Sequence, residues 1–413
     1  MISKSGRQYL HKTPQLQSSS PFVAFSYGNA ILRQDTPLLA NPAPRTYFLD
    51  DQHIHELSTA MATWESRAWT YTGGGYPKGL KPSIVHVPRG CELKGLWSTP
   101  HMLVNIQACA LNPVDIQMIN SLSSIVPLKS FQGEKGTVCD FSATVGAGGR
   151  TGFMKGDEIF GLTMKPFKYG QGVLSEMAEL DMSNTVAVKK PAEWSWAKAA
   201  AIPLVWLTAR TCIANVEDYV SESSGKRLAV LGGSSATGMY TIMLAKKRGW
   251  KVITTSSAKN KDFVTSTLGA DEHVDYTSVS SVRSAIQAFE PDAVVDCVGG
   301  TECIGLPSSK RYITIVGDKT SRTQMGGPAT YYNFLSWHTP FQWLRWARGQ
   351  AGMGESYDVV ILEMRKEWLE EAKETLVPDQ IYIDSEFAFD DALKAFERLN
   401  TGRARGKVVI NIR

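Results

Sequence analysis

The heptapeptide Gly232-Gly233-Ser234-Ser235-Ala236-Thr237-Gly238 joins an apolar run, Arg227 to Leu231, to a stretch of helical composition that closes on Lys246-Lys247-Arg248-Gly249. Small residues at such a turn let backbone N–H groups at a helix N-terminus approach a dinucleotide pyrophosphate with no Cβ in the way. Ser235 stands where the second glycine of the G-x-G-x-x-G pattern would be, so the support comes from the surrounding strand-helix-strand rhythm. No Lys-Ser/Thr pair follows Gly238, which disfavours a P-loop. The next strand ends Ser256-Ser257-Ala258-Lys259-Asn260-Lys261. A site built for NADH places Asp or Glu about 20 residues past the glycines, where it accepts from the ribose and repels a 2′-phosphate. Hydroxyl and amide donors with two lysines predict NADPH instead. Asp262 falls at the first turn of the following helix, an ordinary place for a carboxylate.

Positioning these groups requires a framework, and the chain supplies its rhythm. The short runs Val252 to Thr255, His273 to Asp275 and Ala293 to Asp296 alternate with helical stretches that reach Leu268-Gly269 and Phe289, and a further strand is expected over Tyr357 to Leu362. Parallel strands buried on both faces read this way, so the fold class is α/β with a doubly wound Rossmann sheet. Upstream, from about Ser66 to Pro191, short β-rich pieces are punctuated by glycine clusters, and Met102 to Ala108 alternates like a half-buried strand. The expected divisions are a tail over 1–60, a β-rich domain over 61–190, the nucleotide-binding domain over 191–369 and a C-terminal segment over 370–413. The closing run Lys407 to Ile412 is β-like yet distant from the parallel set.

Composition excludes several classes. The 413 residues carry 44 basic and 40 acidic side chains, net +4, with no clustered basic face for phosphate-backbone binding, so no nucleic-acid partner is expected. No apolar stretch approaches the roughly 20 uninterrupted residues of a membrane span. The six cysteines form none of the short-spaced pairs of zinc knuckles or redox dithiols, which fits a reducing, intracellular setting. The first acidic residue is Asp35, after Lys4, Arg7, Lys12 and Arg33. That composition is compatible with a mitochondrial presequence and equally with a plain disordered tail of a cytoplasmic protein. Met61 could itself be a start site.

An ordered set of short motifs resembles the medium-chain dehydrogenase/reductase superfamily. They are Leu111-Asn112-Pro113-Val114-Asp115, Lys155-Gly156-Asp157-Glu158, Ala199 to Leu204 with Leu207-Thr208-Ala209, the Gly232 to Gly238 loop, Leu268 to Asp271 with Val274-Asp275-Tyr276, Asp296 to Gly300, and Ala404-Arg405-Gly406-Lys407. Within it the chain is most similar to the quinone-oxidoreductase and enoyl-reductase branch, which includes fungal trans-acting enoyl reductases and mitochondrial reticulon-interacting reductases. The resemblance implies a GroES-like β-rich catalytic domain completed by the C-terminal strands, a cofactor cleft and a homodimer. It implies that Asn112 and Thr208 flank the nicotinamide and that Ser234 to Thr237 hold the pyrophosphate. Ser256, Ser257, Lys259, Asn260, Lys261 and Tyr276 then face the 2′-phosphate and adenine ribose, and Val298, Val316 and Lys407 complete the site.

Family members that are alcohol dehydrogenases hold catalytic zinc through Cys and His. Here Asn112 stands at the first ligand position and Cys139 at the histidine's, and no four-cysteine loop exists, so no metal is expected. Without a Lewis acid, direct carbonyl reduction loses its main electrostatic support. Hydride addition to an enone, enoyl thioester or quinone leaves charge delocalised onto oxygen, where hydrogen-bond donors suffice. The expected activity is therefore NADPH-dependent, zinc-independent reduction of an activated C=C bond. The tyrosine that mitochondrial enoyl reductases carry after Asn-Pro-x-Asp is absent from Gln117 through Lys135, so no proton donor is named. A catalytically idle NADPH-binding partner protein and a zinc alcohol dehydrogenase are the alternatives. The aromatic stretch Tyr331, Tyr332, Phe334, Trp337, Phe341, Trp343 and Trp346 suggests a wall for a flat, apolar acceptor, or a packed helix or subunit seam.

Overall fold

The computed structural model describes residues 63–72, 75–88, 100–124, 133–166, 170–318 and 338–413. The expected tail, Met61, Cys91 and the aromatic residues Tyr331, Tyr332, Phe334 and Trp337 lie outside them. Strands β1 (Thr63–Tyr71) and β2 (Leu80–Pro88) form an antiparallel ribbon. Strands β3 (His101–Leu111), β4 (Asp140–Ala147), β5 (Glu158–Thr163), β6 (Met177–Asp181) and β7 (Thr185–Lys189) belong to a mixed sheet. Helix α1 (Pro113–Ser124) leaves β3, and α2 (Trp196–Ala200) and α3 (Pro203–Ser221) lead out of that sheet.

Strands β8 (Arg227–Leu231), β9 (Lys251–Ser256), β10 (Glu272–Asp275), β11 (Ala293–Asp296), β12 (Arg311–Thr314) and β13 (Ser356–Val359) form a parallel sheet in the order β10-β9-β8-β11-β12-β13. Its helices among the described residues are α4 (Ala236–Lys247), α5 (Val282–Ala288), α6 (His338–Gln350) and α7 (Lys366–Thr375). Alternate residues of β8 enter two different cores: Leu228 and Val230 pack on one side, Ala229 and Leu231 on the other. That is why the strand reads as an uninterrupted apolar run. The Rossmann expectation is met. The GroES-like half is completed by β14 (Ile383–Ala388) and β15 (Lys407–Asn411), with α8 (Ala392–Asn400) between them, giving the order β14-β15-β3-β4-β5-β7 with β6 on β3. β15 pairs antiparallel with β3, Val408 opposite Leu111, so the orphaned C-terminal run is an interior strand of the other sheet.

Several local expectations are corrected. β3 is central, paired with β4, β6 and β15, and more buried than a half-buried strand: only Asn105 and Gln107 are half-buried, and Ala108 and Ala110 enter one core while Cys109 and Leu111 enter another. The segment before Leu268 is not a regular α-helix: it is a 3-10 turn, Ala258–Asn260, and a π-helical turn, Phe263–Thr267. β13 stops at Val359 rather than Leu362, and Val360, Ile361 and Leu362 turn into the cleft described below. Finally, Trp196–Ser221 is long and apolar enough by composition to cross a membrane, where none was expected; 78% of its most apolar window is buried inside the protein. Its longer part, α3, packs against α4 beside the parallel sheet, with the Trp206 indole donating to the Trp368 carbonyl at 2.7 Å.

Candidate active site

A cavity of about 650 Å³ lies along the carboxyl ends of the parallel strands, the place where open α/β sheets bind ligands. Each strand contributes its end: Leu231 and Gly232, Thr255 to Ser257, Cys297 and Val298, Ile315 and Val316. The opposite wall comes from the start of α1, from Thr208 on α3 and from the loop entering β15. Of the residues singled out in the sequence, Asn112, Thr208, Gly232, Ser234, Ser235, Ala236, Thr237, Ser256, Ser257, Lys259, Asn260, Tyr276, Val298, Val316 and Lys407 line it. Gly233, Gly238 and Lys261 do not.

The two glycines outside the cavity act through the turn. Gly232 takes φ +85°, a left-handed conformation costly for any residue with a Cβ, and its N–H is held by Thr255 Oγ1 at 2.9 Å. A Cβ on Gly233 would sit 2.0 Å from Thr254 Oγ1, and one on Gly238 2.3 Å from the Gly232 carbonyl oxygen. The loop is therefore folded tightly on itself and on β9. Ser235, the departure from the glycine fingerprint, is the N-cap of α4: its Oγ accepts the Gly238 N–H at 3.0 Å. The serine thus caps a helix at a position where the fingerprint calls for absence of a side chain.

At the end of β9 the Asn260 amide donates to Ser234 Oγ at 3.2 Å, tying the following turn to the glycine loop. Ser256, Ser257, Lys259 and Tyr276 face the same end of the cavity, and no carboxylate stands at the strand terminus. At the other end lies a buried polar floor. Lys407 Nζ sits 2.9 Å from Asp140 Oδ2 and also bonds the Asn112 side-chain oxygen. Asn112 Nδ2 donates to Asp140 Oδ2 at 2.9 Å, and Asp140 Oδ1 accepts the Leu204 N–H at 2.9 Å. Burial pushes the Asp140 carboxyl up while the Lys407 ammonium and these donors pull it back. Beneath, Asp115 accepts the Asn112 N–H at 2.7 Å and a hydrogen bond from the Cys139 thiol. Burial lifts Asp115 to about 7, and burial with the two neighbouring carboxylates drives the Cys139 thiol well above its ordinary range.

The comparisons agree with this architecture. A family profile described as zinc-binding dehydrogenase matches residues 268–410. The 2-methylene-furan-3-one reductase of Solanum lycopersicum is 30% identical over 365 residues, covering 86% of this chain and 82% of that protein. This chain belongs to the medium-chain dehydrogenase/reductase superfamily. It falls in the quinone-oxidoreductase and enoyl-reductase branch: the trans-enoyl reductase pgmF of Aspergillus terreus is 29% identical over 75% of this chain and 86% of its own length. The mitochondrial NAD(P)H oxidoreductase RTN4IP1 of Mus musculus is 28% identical over 82% and 85%. Among solved structures, the quinone oxidoreductase of Coxiella burnetii superposes with a TM-score of 0.63 at 23% identity, over 85% of this chain and all of that one. The protein is an oxidoreductase of that superfamily with a nicotinamide-nucleotide cleft.

Against the superfamily's zinc pattern, the donors at the metal position do not fit. The Asn112 amide is committed to Asp140 and Lys407, an ammonium group occupies the floor, and Cys139 is a protonated donor to Asp115. A cation there would meet a buried positive charge and too few available ligands. Among the described residues no group of three His, Cys, Asp or Glu could hold a metal ion. Sequence reading missed several lining residues, including Gln117, Glu302, Arg403 and Arg405. Gln117 lies on α1 one turn beyond Pro113, itself in the cleft lining, a spacing that could have flagged it. Arg405, stacked 5.1 Å from the Phe263 ring, is reached only through the fold.

Proposed function

We propose that this protein is an NADPH-dependent reductase of an activated C=C bond in an enone, enoyl thioester or quinone, acting without zinc. The observation that carries the reading is the cleft itself, closed by hydroxyl, amide and lysine donors at one end and by the Lys407–Asn112–Asp140 floor at the other. The fit to a phosphorylated dinucleotide rests on the glycine turn, whose close approaches leave no room for Cβ atoms, and on the donor set at the end of β9. Ser234 to Thr237 would hold the pyrophosphate, Ser256, Ser257, Lys259, Asn260 and Tyr276 the 2′-phosphate end, Val298 and Val316 the middle, and Asn112 and Thr208 the nicotinamide end. When bound, the nicotinamide supplies the hydride.

The chain's own residues handle the charge that the acceptor takes up. Gln117 is half-buried in the cleft wall and its carboxamide makes no hydrogen bond among the described residues, so its Nε2 is free to donate to the acceptor's oxygen. Lys407, 3% exposed, adds positive potential from below. Val114, Met164, Leu204, Ile361 and Leu362 supply apolar walls for the carbon skeleton, and water entering the cleft supplies the proton. Gln117→Leu should lower kcat/KM for an enone by about 100-fold, the lower end of the scale for one oxyanion donor, with NADPH affinity unchanged in a fluorescence titration.

Ser257→Asp brings a carboxylate to the 2′-phosphate end and should weaken NADPH binding by about 100-fold while sparing NADH, since a like charge within a few ångströms costs several kcal/mol at low effective dielectric. Steady-state assays with enones, enoyl thioesters and quinones then decide the reaction. Failure to oxidise NADPH with any of them, beside tight NADPH binding, would favour the idle binding partner, a reading that the missing tyrosine between Gln117 and Lys135 supports. One zinc per chain whose chelation abolishes turnover would return the zinc alcohol dehydrogenase. The acid-free stretch before Asp35 and the mitochondrial relative support a mitochondrial location over a cytoplasmic one, and the superfamily supports a homodimer; fractionation and light scattering test both.

A further inference from the structure

We propose that His273 is a positioning residue that orients the Ser256 hydroxyl at the 2′-phosphate end of the cleft and makes the preference for NADPH over NADH depend on pH. The inference rests on the reading of that end given above. β10 lies beside β9 in parallel register, His273 opposite Thr254 and Asp275 opposite Ser256. Across this pair the His273 Nε2 lies 2.8 Å from Ser256 Oγ. Ser256 is 2% exposed and faces the cavity, while His273 lies behind it. The imidazole therefore reaches a bound nucleotide only through the serine.

A serine hydroxyl has one proton to give and lone pairs to receive. When Nε2 is a bare acceptor, it takes the Ser256 proton and leaves lone pairs toward the cleft, the wrong polarity for a phosphate oxygen. When Nε2 carries a proton, it donates to Ser256 Oγ, and the hydroxyl proton is released toward the Ser257 carbonyl, 3.2 Å away, or toward a phosphate. An imidazolium always presents that second arrangement and adds a positive charge. Burial, with a smaller contribution from Lys261 in the turn after β9, draws the His273 value below the ordinary histidine range, while a hydrogen bond to the Ser256 backbone and Asp275 on its own strand oppose that shift. The shift favours the neutral ring in the free protein. A dianionic phosphate favours the imidazolium, so binding takes up a proton, and affinity for NADPH relative to NADH rises as pH falls. The phosphate's own second ionisation near pH 6 acts in the opposite sense, but equally in every variant.

The test is the ratio of NADH to NADPH dissociation constants, titrated by fluorescence between about pH 5.5 and 8.5, for the wild-type protein, His273→Val and His273→Gln. The wild-type ratio should rise by roughly tenfold more than that of His273→Val as pH falls across one pKa interval. His273→Gln keeps a neutral donor beside Ser256, and should hold a pH-independent preference above that of His273→Val. NADH affinity should be the same in all three. Superimposable wild-type and His273→Val ratio profiles overturn the inference while leaving the NADPH reading intact. A wild-type protein with no NADPH preference at any pH overturns both, and the two failures are told apart by the wild-type data alone.

Discussion

Lys407→Met should cost about 3–5 kcal/mol of folding stability, read from denaturant unfolding monitored by the tryptophans, because it strands a fully buried carboxylate. Asp140 is completely enclosed, and its counter-charge is the Lys407 ammonium at 2.9 Å. Asn112 Nδ2 and the Leu204 N–H would remain, but dipoles do not replace a charge in a low-dielectric setting. The sign with pH follows from the shift already present. Burial raises the Asp140 value, and losing the ammonium raises it further, so the variant's deficit should shrink as the pH is lowered and Asp140 takes up a proton. Adding Asp140→Asn to Lys407→Met should restore much of the loss by removing the stranded charge. A deficit below about 1 kcal/mol at pH 8 would mean that the pair is solvated, and the polar floor would have to be abandoned. Activity should fall along with stability, since the same ammonium fixes the Asn112 amide at the end of the cleft proposed above for the nicotinamide.

Gly238→Ala should abolish measurable NADPH binding, a loss of at least about 100-fold, on the order of the 3 kcal/mol that displacing a packed loop costs. Gly238 is helical and carries no strained φ, so alanine is not penalised by its own conformation there. The penalty is purely one of space: the new Cβ would meet the Gly232 carbonyl oxygen at 2.3 Å, its carbon at 3.0 Å and Ser235 Oγ at 2.9 Å. Backbone cannot rotate away as a side chain can. The contrast is Gly249, at φ +73° with open space for 4 Å around the point where a Cβ would stand, so alanine there should cost about 1–2 kcal/mol of stability and leave nucleotide binding alone. Equal binding losses at the two positions would show that general destabilisation, rather than the glycine turn, governs the affinity.

Much of the fold could be read from residue types and periodicity. The parallel strands announced themselves because β8 and β11 are apolar on both faces and β9 is rich in β-branched residues, and the turn after β8 because small residues cluster where a strand hands over to a helix. Local chemistry also marked most of the residues that line one end of the cleft, since the β9 terminus is written in consecutive residues. The failures have physical causes. The segment after Lys261 has helical spacing, yet packing of Phe263 against Tyr382, at 5.0 Å in an edge-on contact, and Val264 into the core accompanies a π-helical turn. Asn105 and Gln107 in β3 are half-buried as their alternation suggests, but the rest of the strand is buried on both faces, which residue types alone did not show.

By itself the sequence determined the order of elements, the glycine turn and the hydroxyl and amide groups at the end of β9, because each depends on neighbours within one strand-turn-helix unit, where spacing along the chain is spacing in space. Only the tertiary structure decided the polar floor and the Ser256–His273 pair. Lys407 reaches Asn112 across 295 positions and Asp140 across 267, after β15 has crossed back to β3, and His273 meets Ser256 through strand register rather than proximity in the chain. Such contacts are selected by the burial of whole sheets, and no local pattern encodes which side chains that burial will bring together.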